Sequence, residues 1–363
     1  MIKGLYLRNF RNYGDLHLKS LGRINIFIGK NGQGKTNLLE GIFFLSLLRS
    51  FRTSQIDDLR KIETGGFYLG SEIILDSGSS KYIEVDHSDR RILKIDRNPV
   101  SRASEFIHNF RTVIFSPHDI QIVTGSSSIR RKFLDMYISS VKPEYMPLLQ
   151  NYIVALQKRN AYLRMGDARN KLKEIKAFEP ILAENGSLIV KYRGEIILNL
   201  SQHIFQTLAE ITGTEKDFSI KYVPQKGTRD KEEYISRFEQ ERNRDFTRQF
   251  TTFGPHLDDF EFIFENKPMK SHASTGQCRL VSLCLKLSSV KIMHEYGMKN
   301  SEIVALVDDV TGELDIETKR SFYNILKNAN QVFFTFTEKP FMDDFLIGSR
   351  IFEVSDGKVL EIA

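Results

Sequence analysis

Short apolar runs broken by polar turns fill both ends of the chain, whereas a helical spacing governs its middle. Ile2 to Leu7 is the first strand candidate; the polar turn Arg8 to Asn12 follows, then a second candidate at Asp15 to Leu18. Ile24 to Ile28 is a short apolar run ending on glycine, and Asn37 to Leu48 has the length and composition of a buried helix. Tyr68 to Leu75, Lys81 to Val85 and Arg91 to Ile95 are strand-like, separated by the turn clusters Asp76-Ser77-Gly78 and His87-Ser88-Asp89. They predict a small antiparallel meander inserted at about 66–100.

From Ser128 to about Leu208 the pattern becomes helical, with Leu188, Tyr192, Ile196 and Leu200 every four residues. Residues 225–248 are highly charged and predicted to face solvent. The last third alternates again: a helix from Arg279 to Glu295, a strand Ile303 to Val307, a helix Glu317 to Lys327 and a strand Gln331 to Phe336. A hairpin closes the chain, Arg350 to Val354 and Val359 to Ile362 flanking Asp356-Gly357. The class is α/β.

The longest apolar stretch, Gly41 to Leu48, falls far short of the ~20 residues that cross a bilayer. Met1-Ile2-Lys3 runs straight into strand-like sequence without a leader, so a cytoplasmic protein with no membrane partner is expected. Two cysteines, Cys278 and Cys284, make neither a disulfide framework nor a metal spacing. A formal charge of +6 leans weakly toward a polyanionic partner.

Chemistry concentrates in Gly29-Lys30-Asn31-Gly32-Gln33-Gly34-Lys35-Thr36, which fits G-x-x-x-x-G-K-[ST]. Glycines let the backbone curl so that N–H groups point at phosphate oxygens, and the helix that follows adds its positive end. Lys35 is expected to reach the β and γ phosphates of ATP, and the Thr36 hydroxyl to ligate Mg²⁺. Ile303 to Asp309 supplies the second half: a buried strand delivering carboxylates at its C-terminal edge, where ligands sit in open α/β sheets. Asp308 is expected to hold the Mg²⁺, directly or through water, opposite Thr36, and Asp309 is placed to polarise the attacking water. Such a long separation between Lys35 and Asp308 means that the nucleotide core is split by an insertion.

Ser274-Thr275-Gly276-Gln277 precedes the helix leading into that strand and resembles the signature of ATP-binding-cassette ATPases, which reaches the ATP of the opposite subunit. With Leu7 to Tyr13, Ser50 to Thr53, Val113 to Pro117, Arg130 to Asp135, Gln157 to Asn160, Gly254 to Asp259 and Asp308 to Asp315, the chain resembles the RecF family, related to the heads of SMC proteins, over nearly its whole length. The resemblance implies a split phosphate-loop head of ABC/SMC type, at residues 1–125 and 215–363, with a helical lobe at 126–214. It adds Arg11, Asn12 and Asn37 to the nucleotide residues, and Thr337, where cassette ATPases carry a switch histidine, as γ-phosphate sensor. It further implies an ATP-closed homodimer on double-stranded DNA at ssDNA/dsDNA junctions or gaps, with RecO and RecR as partners in RecA loading. Departures from the family pattern occur at Phe51, Leu257, Thr275 to Cys278 and Gly312; none removes a phosphate or metal ligand.

Thr337 cannot act as an acid–base group near neutral pH, and Asp309 is one methylene shorter than the usual Glu. Slow, DNA-stimulated hydrolysis is therefore expected, with ATP as a switch. Residues 157–176 carry seven basic side chains against two acids. Lys158, Arg159, Arg164 and Arg169, with Arg130 and Arg131, are the candidate DNA contacts, chiefly to phosphates. Two rivals are a transporter ATPase subunit, which needs a much shorter gap between phosphate loop and signature, and a small-molecule phosphotransferase, which needs an acceptor pocket.

Overall fold

A computed structural model describes residues 1–362 apart from 76–77, 108, 296–301, 311, 313 and 341–345. Thr311 and Glu313, within the acidic motif, and two residues of the Asp76-Ser77-Gly78 turn therefore lie outside the described residues. The chain divides into two compact units. The first comprises Met1–Asp119, Glu210–Gly213 and Leu283–Ala363; the second comprises Ile120–Ala209 and Thr214–Ser282.

Two sheets frame the core of the first unit, with a helix packed against strands of both. The antiparallel sheet runs in the order β2-β1-β4-β5-β6-β7, with β1 Ile2–Phe10, β2 Tyr13–Leu18, β4 Phe67–Ile74, β5 Ser80–His87, β6 Arg91–Ile95 and β7 Asn98–Val100. The meander predicted at about 66–100 supplies β4 to β7. Its first strand pairs with β1, Leu7 opposite Leu69, and extends the sheet that the N-terminal hairpin begins. The second sheet has the order β15-β14-β3-β13-β12-β8, from β3 Ile24–Ile28, β8 Phe110–Phe115, β12 Glu302–Asp308, β13 Gln331–Phe336, β14 Arg350–Ser355 and β15 Lys358–Glu361. All its neighbours are parallel except β14 and β15.

Helix α1, Lys35–Leu47, lies against strands of both sheets. Packing on two sides explains why it is apolar almost all round, with Leu38, Leu39, Ile42 and Phe44 fully buried. It also makes the one acid in that run, Glu40, conspicuous.

The second unit holds the helices α2 Ser127–Val141, α3 Tyr145–Leu163, most of α4 Glu179–Thr212, and α5 Lys231–Arg248. A small antiparallel sheet completes it, in the order β11-β10-β9, from β9 Phe218–Val223, β10 Asp259–Phe264 and β11 Lys267–Pro268. Helix α6, Thr275–Glu295, starts in this unit and ends in the first; α7, Ile316–Leu326, belongs to the first. The boundary expected at residue 215 is corrected here, because 214–282 groups with the helical lobe. Buried ion pairs explain it. Arg130 on α2 meets Asp259, Arg159 on α3 meets Asp245, and Arg193 on α4 meets Asp258. Nor is 225–248 a solvated segment throughout, since α5 buries Tyr234, Phe238 and Asp245.

Candidate functional site

Strand β3 hands the chain to the phosphate loop at the C-terminal edge of the parallel sheet. Gly29 N–H still donates to the Phe336 carbonyl of neighbouring β13, at 3.1 Å. A side chain at Gly29 would put its Cβ 2.2 Å from the Val354 carbonyl oxygen, so only glycine fits there. Gly34 closes the loop at φ 115°, where a Cβ would stand 2.6 Å from Asn12 Nδ2. Lys30, Asn31 and Gly32 are exposed at the rim, while Lys35 is buried at the start of α1.

Lys35 Nζ donates to the carbonyls of Gly29 and Lys30, at 2.5 and 3.0 Å. The ammonium is thereby held under the loop that the phosphates would occupy. Burial lowers its pKa, and the carboxylates of Asp309 and then Asp308 pull it back up. Thr36 Oγ1 donates to both Asp308 oxygens, at 2.9 and 3.0 Å, across a separation of 272 residues. The loop and the end of β12 therefore meet as the sequence pattern required. A hydroxyl and a carboxylate side by side are the hard oxygen donors that Mg²⁺ prefers, so the residues fit the ion. Asp309 follows at φ 53°, a left-handed turn directly after the strand. Thr337 and Glu338 are exposed just past β13, which pairs Phe336 with Ile28 beside the loop.

Arg11 and Asn12 brace the loop. Asn12 Nδ2 donates to the Gln33 carbonyl at 3.0 Å, and its Oδ1 accepts from Asn37 at 2.8 Å. The Arg11 guanidinium is held by Glu40, twice at 2.8 Å, and by the Asp58 carbonyl. Gln33 Oε1 accepts from Asp356 N–H in the C-terminal hairpin, at 2.6 Å. Two residues escaped the sequence reading. Thr335, fully buried, donates to Asp308 Oδ1 at 2.8 Å and adds a second hydroxyl to the carboxylate. Glu40 anchors Arg11 and Arg52. Each was visible as a lone polar residue in an apolar run.

Ser274 caps α6 by a reciprocal pair: its Oγ accepts from Gln277 N–H at 3.2 Å, and its own N–H donates to Gln277 Oε1 at 2.8 Å. Ser274, Thr275 and Gly276 are exposed, and a Cβ on Gly276 would have only Ser274 Oγ near, at 4.0 Å. The helix start is thus both capped and open to an incoming anion.

The candidate DNA contacts separate into two groups. Lys158, Arg164 and Arg169 are exposed, and Arg131 is half-buried with Nη1 on the Asp258 carbonyl. Arg159 and Arg130 are corrected. Arg159 is 0% exposed and bonded to Asp245, Thr251 and Glu179. Arg130 is 5% exposed, bidentate to Asp259 with its third nitrogen on the Gly125 carbonyl. Neither guanidinium is presented to a phosphate backbone, because each is buried against the acids that neutralise it.

A split phosphate-loop site on a parallel sheet, with an antiparallel sheet behind its helix, defines an ATPase head of the SMC type. The family model described as the RecF/RecN/SMC N terminal domain matches residues 1–359. The Smc head domain of Pyrococcus furiosus, solved with the C-terminal domain of ScpA, shares the fold at a TM-score of 0.52 and 15% identity, covering 100% of this chain and 96% of that one. Within that class the likeness is closer. The chain is 34% identical to the DNA replication and repair protein RecF of Streptococcus uberis over 98% of both chains, and 31% identical to that of Streptococcus suis over 99% of both. A solved structure of the recombination mediator protein RecF with ATP matches at a TM-score of 0.87 and 31% identity, covering 100% of this chain and 97% of that one. The chain belongs to the RecF family of DNA replication and repair proteins.

Proposed function

We propose that this chain is an ATP-dependent DNA-binding protein of recombinational repair and replication, and that ATP closes two copies of it on duplex DNA. One observation carries the reading: Thr36 and Asp308 meet at 2.9 Å beside the buried Lys35, an arrangement that supports Mg-ATP binding. Lys35 binds the β and γ phosphates, and the loop N–H groups bind the rest. Mg²⁺, held by Thr36 and Asp308, would neutralise charge on the phosphates. Asp309 orients and polarises water, and Thr337 donates a hydrogen bond to the γ-phosphate. Without a Glu and a His in those two places the chemistry is slow, so ATP works as a switch that DNA accelerates. The open helix start at Ser274 to Gln277 receives the γ-phosphate bound by the other copy.

Lys158, Arg164, Arg169 and Arg131 contribute phosphate contacts, with preference for ssDNA/dsDNA junctions or gaps, and RecO and RecR are the partners in RecA loading. No described helix is long and apolar enough to cross a membrane, and we place the protein in the cytoplasm.

If ATP and DNA both favour the closed pair, linkage makes each tighten the other by one factor. Ser274→Arg puts a bulky cation where the γ-phosphate must approach. Sedimentation and DNA titration, with and without ATP, should show a variant that binds nucleotide but neither dimerises nor gains DNA affinity. A variant that dimerises normally would reduce the motif to a helix cap.

A further inference from the structure

One buried carboxylate gathers the edge of the phosphate loop. Glu40 lies on α1, five residues after Lys35, and is 0% exposed. Its oxygens accept from Arg11 Nε and Nη2 at 2.8 Å each, from Arg52 Nη1 at 3.3 Å and from the Ser50 hydroxyl. Three segments of chain thus converge on it: the β1–β2 turn, the loop at 50–53 and α1 itself. A buried carboxylate is tolerable only when paired and hydrogen-bonded, and this one is fully engaged.

The bonds continue outward from Arg52. Its Nη1 donates to Asn37 Oδ1 at 2.6 Å, Asn37 Nδ2 to Asn12 Oδ1 at 2.8 Å, and Asn12 Nδ2 to the Gln33 carbonyl at 3.0 Å. The Gln33 carbonyl is therefore tied, through three side chains, to Glu40.

We infer that Glu40 is a positioning residue for the nucleotide site. It holds Arg52 and the Arg11–Asn12 turn so that the loop keeps its phosphate-binding curl before ATP arrives. The inference rests on the ATP-site reading above. A pre-curled loop spares the nucleotide the ordering cost that a slack loop would impose on binding. The loss should therefore fall on affinity and KM and leave kcat of the bound complex unchanged.

The test is ATP titration calorimetry with steady-state hydrolysis, on the full chain as wild type, Glu40→Gln, Arg52→Gln, the double variant and Lys35→Ala. Glu40→Gln should bind ATP about tenfold more weakly, as expected if the neutral amide keeps only part of the bonding to Arg11 and Arg52, and KM should rise in step while kcat stays within about twofold. The double variant should be barely weaker than either single, because both act through one network. Wild-type affinity in Glu40→Gln, or losses that simply add, would overturn the inference. Lys35→Ala reports on the site itself: full ATP affinity in that variant would mean that the ATP reading, and not Glu40, is at fault. If Glu40→Gln is too unstable to assay, Arg52→Gln breaks the relay while the buried carboxylate keeps Arg11. Several-fold weaker ATP binding at an unchanged melting temperature then supports the inference, and unchanged affinity overturns it.

Discussion

Replacing Arg159 and replacing its neighbour Lys158 should have opposite consequences. Arg159 is fully buried, with Nη1 2.7 Å from Asp245 and Nη2 3.0 Å from Glu179. Its guanidinium also lies over the Phe238 ring, 4.9 Å from the centroid. Arg159→Met keeps most of the stem and removes the charge, leaving Asp245 buried. Breaking a buried pair from one side costs about 3–5 kcal/mol. The low end applies here, because Asp245 keeps the N–H and hydroxyl of Thr252 and Glu179 keeps Arg242 at 3.4 Å. In a unit of this size about 3 kcal/mol corresponds to a fall in Tm of roughly 6–12 °C.

Lys158 projects about 100° further round α3 and is exposed. Lys158→Ala should leave Tm unchanged, weaken DNA binding, and flatten the slope of log K against log salt by about one. Calorimetric melting paired with fluorescence titration of a gapped duplex at 25 °C separates the two. An Arg159→Met protein with wild-type Tm and weakened DNA binding would refute the burial argument and return Arg159 to the interface.

Asp309→Asn should keep ATP binding and suppress hydrolysis, since an amide cannot polarise water as a carboxylate does, and the ATP-bound pair should accumulate in sedimentation; normal turnover would move the role elsewhere. Thr335→Val should raise the Mg²⁺ concentration needed for tight ATP binding several-fold, with Thr335→Ser restoring it, because the Thr335 hydroxyl, and not its methyl, bonds Asp308. His256 donates Nε2–H to the Thr251 carbonyl and accepts from Tyr152 OH at Nδ1, and burial lowers its pKa. The unfolded chain therefore binds the proton more readily, so this contribution is intact above about pH 6.5 and is lost as pH falls through the lowered folded value. Urea midpoints from pH 7.5 to 5 should fall less steeply in His256→Gln, and parallel curves would count against it.

The nucleotide half of the site was legible because its chemistry is local. Eight consecutive residues set the loop, and an apolar strand ending in two acids has one place to put them in a parallel sheet. For Ser274 to Gln277 the signature reading rests on resemblance alone, since the same residues make an ordinary capping box, and they do make one. Glu40 and Thr335 called for a different inference: a polar side chain within a fully apolar run must have a partner, and the nearest unsatisfied chemistry was the site.

What composition could not reveal was the fate of the basic side chains. Periodicity tells which face of α3 is apolar, yet Arg159 sits on the buried face because Asp245, 86 residues later, is buried opposite it. The same long-range pairing draws Asp259 to Arg130 and Asp258 to Arg193, and with them the whole stretch 214–282 into the helical lobe. The misplaced boundary and the two withdrawn DNA contacts therefore have one cause. A run of lysines and arginines reports the charge available to a lobe, and how much of it reaches the surface depends on acids that fold back onto it from elsewhere in the chain.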